Sequence, residues 1–212
     1  MDTAFFSKRE EIVNAVTHGI GTGLAIAALV VLVVFAAIEG TAAHVVGFTI
    51  YGVTMVTLYL ASTLYHGITS TSTKYLLRKF DHMSIFLLIA GSYTPFCLTA
   101  LPGWVGWTVL IIVWTCAVTG IVLKMFHTGM HEGTSTFLYI LMGWLIIPAI
   151  KPLYCSLSFQ TFVYLMLGGV FYTAGTYFFL KDSKQYYHGI WHIFVLAGST
   201  FHFFSVLGLL RG

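Results

Sequence analysis

Seven runs of apolar residues, each long enough to cross a hydrocarbon core of about 30 Å, divide the chain at Glu11 to Ile38, Ala43 to His66, Asp81 to Ala100, Gly103 to Met125, Thr134 to Ile150, Ser158 to Leu180 and Tyr187 to Leu210. Within a bilayer no water is available to satisfy backbone N–H and C=O groups, so each run can cross only as a helix. The expected fold is therefore all-α, a seven-transmembrane-helix bundle. Charged residues make up only 8% of the chain and hydrophobic ones 58%, too little charge to cover a water-soluble globule of this size. The connections between runs are short, so residues 1–212 read as a single integral membrane domain.

Basic residues are distributed unevenly between the two sides. Lys8, Arg9, Lys74, Arg78, Lys79, Lys124, Lys181 and Lys184 fall on the side of the N-terminus, and only Lys151 and Arg211 on the other. The positive-inside rule then predicts a cytoplasmic N-terminus and, after an odd number of crossings, a C-terminus outside. The net charge of +3 is small and scattered, which gives nucleic-acid binding no support. The head of the chain mixes acidic and basic residues and precedes an apolar run longer than a signal-peptide core, so no cleavable signal is expected. Cys97, Cys116 and Cys155 form no C-x-x-C pair and are read as packing residues rather than a disulfide framework.

This orientation sets the depth of each polar residue. The second run ends inside at His66, the third starts inside at Asp81, and the seventh starts inside with His188 and His192, so all four share a depth near the cytoplasmic boundary. Asp81 reads as the one carboxylate within an apolar run. An ionisable residue in lipid costs roughly 2.5–3.5 kcal/mol on insertion scales, so a cluster of them marks a functional site. His188 and His192 are four apart and share one helix face, as do Ser62 and His66. His202, ten residues beyond His192, lies about 15 Å deeper and cannot share a metal with it.

Three imidazoles from two helices match the ligand set of a catalytic zinc site, in which a fourth position stays open to water. The expected metal ligands are His66, His188 and His192, with Asp81 joining directly or through water and serving as base. Ser62, one turn before His66, is placed to hydrogen-bond water or a developing oxyanion. Iron held by two histidines and a carboxylate is the chemical alternative. The competing structural reading is interhelical hydrogen bonding, which membrane bundles use freely, and it is the one adopted for His18, His44, His82, His127 and His131.

Glu11, Asn14 and His18 fall at i, i+3 and i+7 at the start of the first run, and either face the same cavity or cap the bundle. The G-x-x-x-G of Gly19 and Gly23 and the small residues Gly168, Gly169 and Gly175 predict close helix packing. Pro95 and Pro148 are expected to kink or end their helices. Trp104, Trp107 and Tyr154 read as interfacial anchors.

Several blocks carry a resemblance. AsnAlaValThrHisGlyIleGly from Asn14, SerThrLeuTyrHis from Ser62, LysPheAspHis from Lys79 with AlaGlySerTyrThrProPhe from Ala90, and HisGlyIleTrpHis from His188 through SerThrPheHisPhe from Ser199 resemble the hemolysin III family. That family is the bacterial branch of the progestin and adipoQ receptor family, within a superfamily that includes alkaline ceramidases. The resemblance spans nearly the whole chain. It implies a seven-helix bundle in the bacterial plasma (inner) membrane, holding Zn2+ near its cytoplasmic end. The family's Ser-x-x-x-His motif falls on Ser62 and His66, its Asp on Asp81 and its His-x-x-x-His on His188 and His192.

Three functions follow as expectations, since fold transfers better than activity. The first is a zinc-dependent hydrolase of a lipid amide or ester, or a protein of membrane-lipid homeostasis, with membrane lipids as partners and an acyl chain lying between helices. The second is a haemolysin that permeabilises a target bilayer, although seven hydrophobic helices cannot stay soluble on the way to another cell. The third is a receptor-like sensor with structural zinc, which requires a closed coordination sphere. Neither the lipid nor the oligomeric state is encoded in any motif.

Overall fold

The computed structural model describes residues 6–101, 103–127 and 132–211, and His131 lies outside them. The elements are α1 (Lys8–Glu39), α2 (Ala42–Gly67), α3 (Thr71–Thr99), α4 (Gly103–His127), α5 (Glu132–Gly143), a 3-10 turn (Ile147–Ala149), α6 (Ile150–Ser156), α7 (Phe159–Phe179) and α8 (Tyr187–Gly208). Among the described residues seven helical spans are long and apolar enough to cross a membrane, with α5, the turn and α6 together forming one of them. The chain is an all-helical integral membrane protein. Its lipid-facing sides carry large apolar side chains such as Ile26, Ile111 and Phe126, all exposed, as a bundle in a hydrocarbon solvent permits.

Two spans differ from the sequence expectation. The third begins at Thr71, ten residues before Asp81, so Asp81 stands on the helix rather than at its start. The basic residues in between lower the hydropathy, but they find partners across the bundle: Lys74 Nζ lies 2.9 Å from Glu11 Oε1, and Arg78 lies 3.7 Å from Glu132 Oε1. The fifth span breaks after Gly143 and resumes at Ile150, with Pro148 in the first turn of the 3-10 segment. Proline has no N–H to lose there and its fixed φ suits a helical start. Pro95, by contrast, is accommodated inside α3 and is fully buried.

Helix α1 packs on α2 and α8, α2 on α3, α3 on α4, and α7 on α8. Small residues set some of these approaches. A Cβ on Gly168 would run into the ring of His202, and one on Gly175 would meet Trp191 and Phe194 at 2.7 Å, so α7 and α8 are in close contact as expected. The Gly19–Gly23 pair does not serve this purpose, because Gly23 faces open space and Gly19 has only ordinary contact with Thr63. The close approach falls instead on Gly21, where a Cβ would meet Tyr59 at 2.6 Å. Cys97 is buried, as a packing residue should be, whereas Cys116 and Cys155 are exposed. The packing reading therefore holds for Cys97 and not for Cys116 and Cys155. Trp104, Trp107 and Tyr154 are exposed on the surface.

The start of α1 is fastened firmly. Ser7 caps the helix and Glu10 closes a capping box with it. Glu10 Oε1 also accepts a hydrogen bond of 2.9 Å from the backbone N–H of Tyr186. Tyr186 adopts a left-handed backbone with φ 62° immediately before α8, a conformation uncommon for a non-glycine residue. One carboxylate thereby joins the first turn of α1 to the residue from which α8 launches.

Candidate metal centre

His66 ends α2, and His188 and His192 sit one turn apart at the start of α8. One ligand atom from each lies within 4.8 Å of the others, and all three residues are buried. The ring centroids are 5.1 Å apart for His66 and His188, 5.3 Å for His66 and His192, and 4.8 Å for His188 and His192. The helical i, i+4 spacing brings the α8 pair together, and the packing of α1 between α2 and α8 holds the third in reach.

The surroundings of two of the three rings, His66 and His192, select a tautomer. His66 Nδ1 is 2.7 Å from Glu11 Oε2, and a carboxylate only accepts, so Nδ1 carries the hydrogen and Nε2 keeps its lone pair. His66 Nε2 is buried without a hydrogen-bond partner. His192 Nδ1 is 3.0 Å from Thr17 Oγ1, a hydroxyl already within 2.9 Å of the carbonyls of Val13 and Asn14. With its proton directed to those carbonyls, Thr17 accepts from His192 and leaves that Nε2 free as well. His188 Nδ1 has a longer approach, 3.5 Å to Asp182 Oδ2.

Buried polar atoms in folded proteins almost always find a partner. Here Asn14 Nδ2, both ring nitrogens of His18, Ser62 Oγ, His66 Nε2 and His188 Nδ1 are all buried without one among the described residues. Such a concentration of free donors and lone pairs fits a group bound from outside the chain. The donor set of three imidazoles is the kind that zinc takes. The residues present therefore fit a metal ion.

The other sequence-derived residues divide. Ser62 is 1% exposed, on the same face of α2 and one turn above His66. Asp81 does not belong to the three-residue group; it is half-buried on α3. His202 stands apart, with Nε2 3.2 Å from the carbonyl of Leu165 on α7. His82 is buried beside Glu132, with Nδ1 3.5 Å from Oε2 and Lys124 Nζ 3.1 Å from the same oxygen. His44 helps cap α2 through Thr41.

His18 and Glu11, read as structural or ambiguous in the sequence, lie against the centre, as does Phe6, which no sequence pattern singled out. His18 stacks on His192 with centroids 3.4 Å apart. Glu11 hydrogen-bonds His66, and Phe6 covers the rings of His188 and His66 at 4.6 and 5.8 Å. The i, i+3, i+7 spacing of Glu11, Asn14 and His18 was the available signal, since it defines one helix face. Which of its two readings holds depends on how α1 packs.

An apolar cavity lies between α3, α5, α7 and α8, and none of the three histidines of the centre lines it. Phe179, Trp191, Tyr93, Trp144, Leu165 and His202 are among its lining residues. The ring of Phe179 is 6.1 Å from that of His188.

A family model described as Haemolysin-III related matches residues 6–203. A hemolysin-3 homolog from Bacillus subtilis (strain 168) is 52% identical over 202 residues, 95% of each chain. Hemolysin-3 from Bacillus cereus is 51% identical over 199 residues, 94% of this chain and 91% of that protein. The human monocyte to macrophage differentiation factor is 25% identical over 167 residues, 74% of this chain and 67% of its own. No solved structure is a significant match.

Proposed function

The chain belongs to the haemolysin-III related family, and from that premise we propose that it is a zinc-dependent hydrolase of a membrane lipid amide or ester, or a lipid-homeostasis protein built on that chemistry. The carrying observation is the buried group of His66, His188 and His192, with ligand atoms within 4.8 Å of one another. These three residues would hold the metal. Zinc, when bound, supplies a Lewis acid that polarises a carbonyl and makes water a nucleophile near neutral pH.

The chain's own residues supply the rest. Asp81 accepts the proton from the attacking water, and the Ser62 hydroxyl donates to the oxyanion that develops on the scissile carbonyl. The apolar cavity takes the acyl chain, and its lining residue Phe179, whose ring lies 6.1 Å from that of His188, places the polar linkage toward the histidines. The distribution of basic residues supports a cytoplasmic N-terminus and an outside C-terminus in the bacterial plasma membrane. The histidines then sit at headgroup depth in the inner leaflet, where a lipid's linkage lies.

The test compares wild type with Asp81→Asn in two assays, fatty acid release from a lipid panel and dye leakage from liposomes. Asp81→Asn is expected to keep its zinc and to lose hydrolysis by a factor of about 10²–10⁴, the range typical of general-base removal. A second reading draws on the name of the Bacillus cereus relative, Hemolysin-3, and makes the chain a cytolysin. Equal leakage from both proteins, with no fatty acid released by wild type, would reject the hydrolase and favour the cytolysin.

A further inference from the structure

The Glu11 carboxylate spans three helices. Oε2 meets His66 Nδ1 on α2 at 2.7 Å, and Oε1 meets Lys74 Nζ on α3 at 2.9 Å. Lys74 is 5% exposed and also donates to the carbonyls of Tyr65 and Ile68, at 2.9 and 3.3 Å. Those carbonyls end α2, where a cation is favoured by the helix dipole. The last turn of α2, which carries His66, is therefore gripped by a carboxylate on one side and an ammonium on the other.

We propose that Glu11, held in place by Lys74, is the positioning residue for His66, fixing its ring so that Nε2 faces the metal, and that Thr17 has the same role for His192. The proposal rests on the metal reading above. A carboxylate on the far nitrogen of an imidazole holds one tautomer and raises the basicity of the other nitrogen, which strengthens it as a ligand. Thr17 orients His192 without adding charge. Asp182 reaches His188 only at 3.5 Å and its side chain is 42% exposed, so solvent competes with it and its contribution is the smallest. The strength of the three anchors falls in the order Glu11, Thr17, Asp182.

The test measures zinc affinity of the full chain in detergent, by competition with chelators of graded strength, together with the thermal midpoint of the metal-free protein. Glu11→Gln keeps the shape and a hydrogen-bond acceptor but removes the charge, and is expected to weaken zinc binding about 10-fold; Glu11→Leu removes both and should approach 100-fold. Thr17→Val is expected near the lower figure. A role confined to holding helices together would lower the metal-free midpoint and leave affinity unchanged in Glu11→Gln and Thr17→Val, which overturns the proposal even if Glu11→Leu fails to fold. Wild type binding zinc no better than His66→Ala would instead overturn the metal reading and this proposal together.

Discussion

The rings of His18 and His192 stack almost parallel, centroids 3.4 Å apart with 13° between their planes. His18 also meets Tyr59 edge-on at 5.0 Å, so it forms a flat wall between α2 and α8 behind the ring of His192. It is not a member of the group whose ligand atoms lie within 4.8 Å. A wall is replaceable by another flat ring, whereas a ligand is not. His18→Phe is therefore expected to retain zinc and His192→Ala to lose it, as read by elemental analysis of the purified proteins. Loss of zinc from His18→Phe would make His18 a ligand.

A different outcome is expected deeper in the bundle. His202 packs its ring against Gly168 and bonds the carbonyl of Leu165, which gives it a role in α7–α8 packing. Gly168→Ala forces a methyl group into that ring and is expected to destabilise by about 1–3 kcal/mol, the usual range for overpacking. His202→Ala should likewise lower the thermal midpoint. Both variants should carry as much zinc as wild type, because ten residues along α8 place His202 about 15 Å from His192.

The parts of this molecule that could be read from sequence are those governed by helix periodicity. His188 and His192, or Ser62 and His66, share a face whatever the bundle does, since four residues make about one turn. Glu11 is different: its partner is 55 positions away, and only the packing of α1 on α2 decides whether it caps a helix or enters the site. The start of α3 was hidden for a related reason. Lys74, Arg78 and Lys79 resemble a loop by hydropathy, yet Glu11 and Glu132 neutralise the first two from other helices, and Lys79 bonds the carbonyl of Met125. Tertiary ion pairs leave no local trace in the sequence.

The proposed orientation has its own test. Eight of the basic residues lie in the terminal turns of spans or in connections on the side of the N-terminus, and reporter fusions near Ser72 and at the C-terminus should report opposite sides of the membrane. Ser72 lies in the first turn of α3, on the same end of the bundle as His66. Fusions on one side would remove the argument that the histidines face the cytoplasm, while leaving their mutual geometry intact.

Ser62 offers the sharpest separation between fold and function. The residue is 1% exposed and its hydroxyl has no hydrogen-bond partner among the described residues. A buried hydroxyl without a partner costs the folded state a desolvation penalty of about 1–3 kcal/mol, so removing it should not weaken the bundle. Ser62→Ala is expected to unfold at the same temperature as wild type or higher, and to keep its zinc, because Ser62 is not among the metal-binding group. If the hydroxyl serves the reaction, the same variant loses lipid hydrolysis by about 10²–10³, the usual cost of removing one oxyanion donor. Stability gained while activity is lost is the pattern of a residue kept for chemistry. A lower thermal midpoint with undiminished hydrolysis would show instead that Ser62 belongs to the packing of α2.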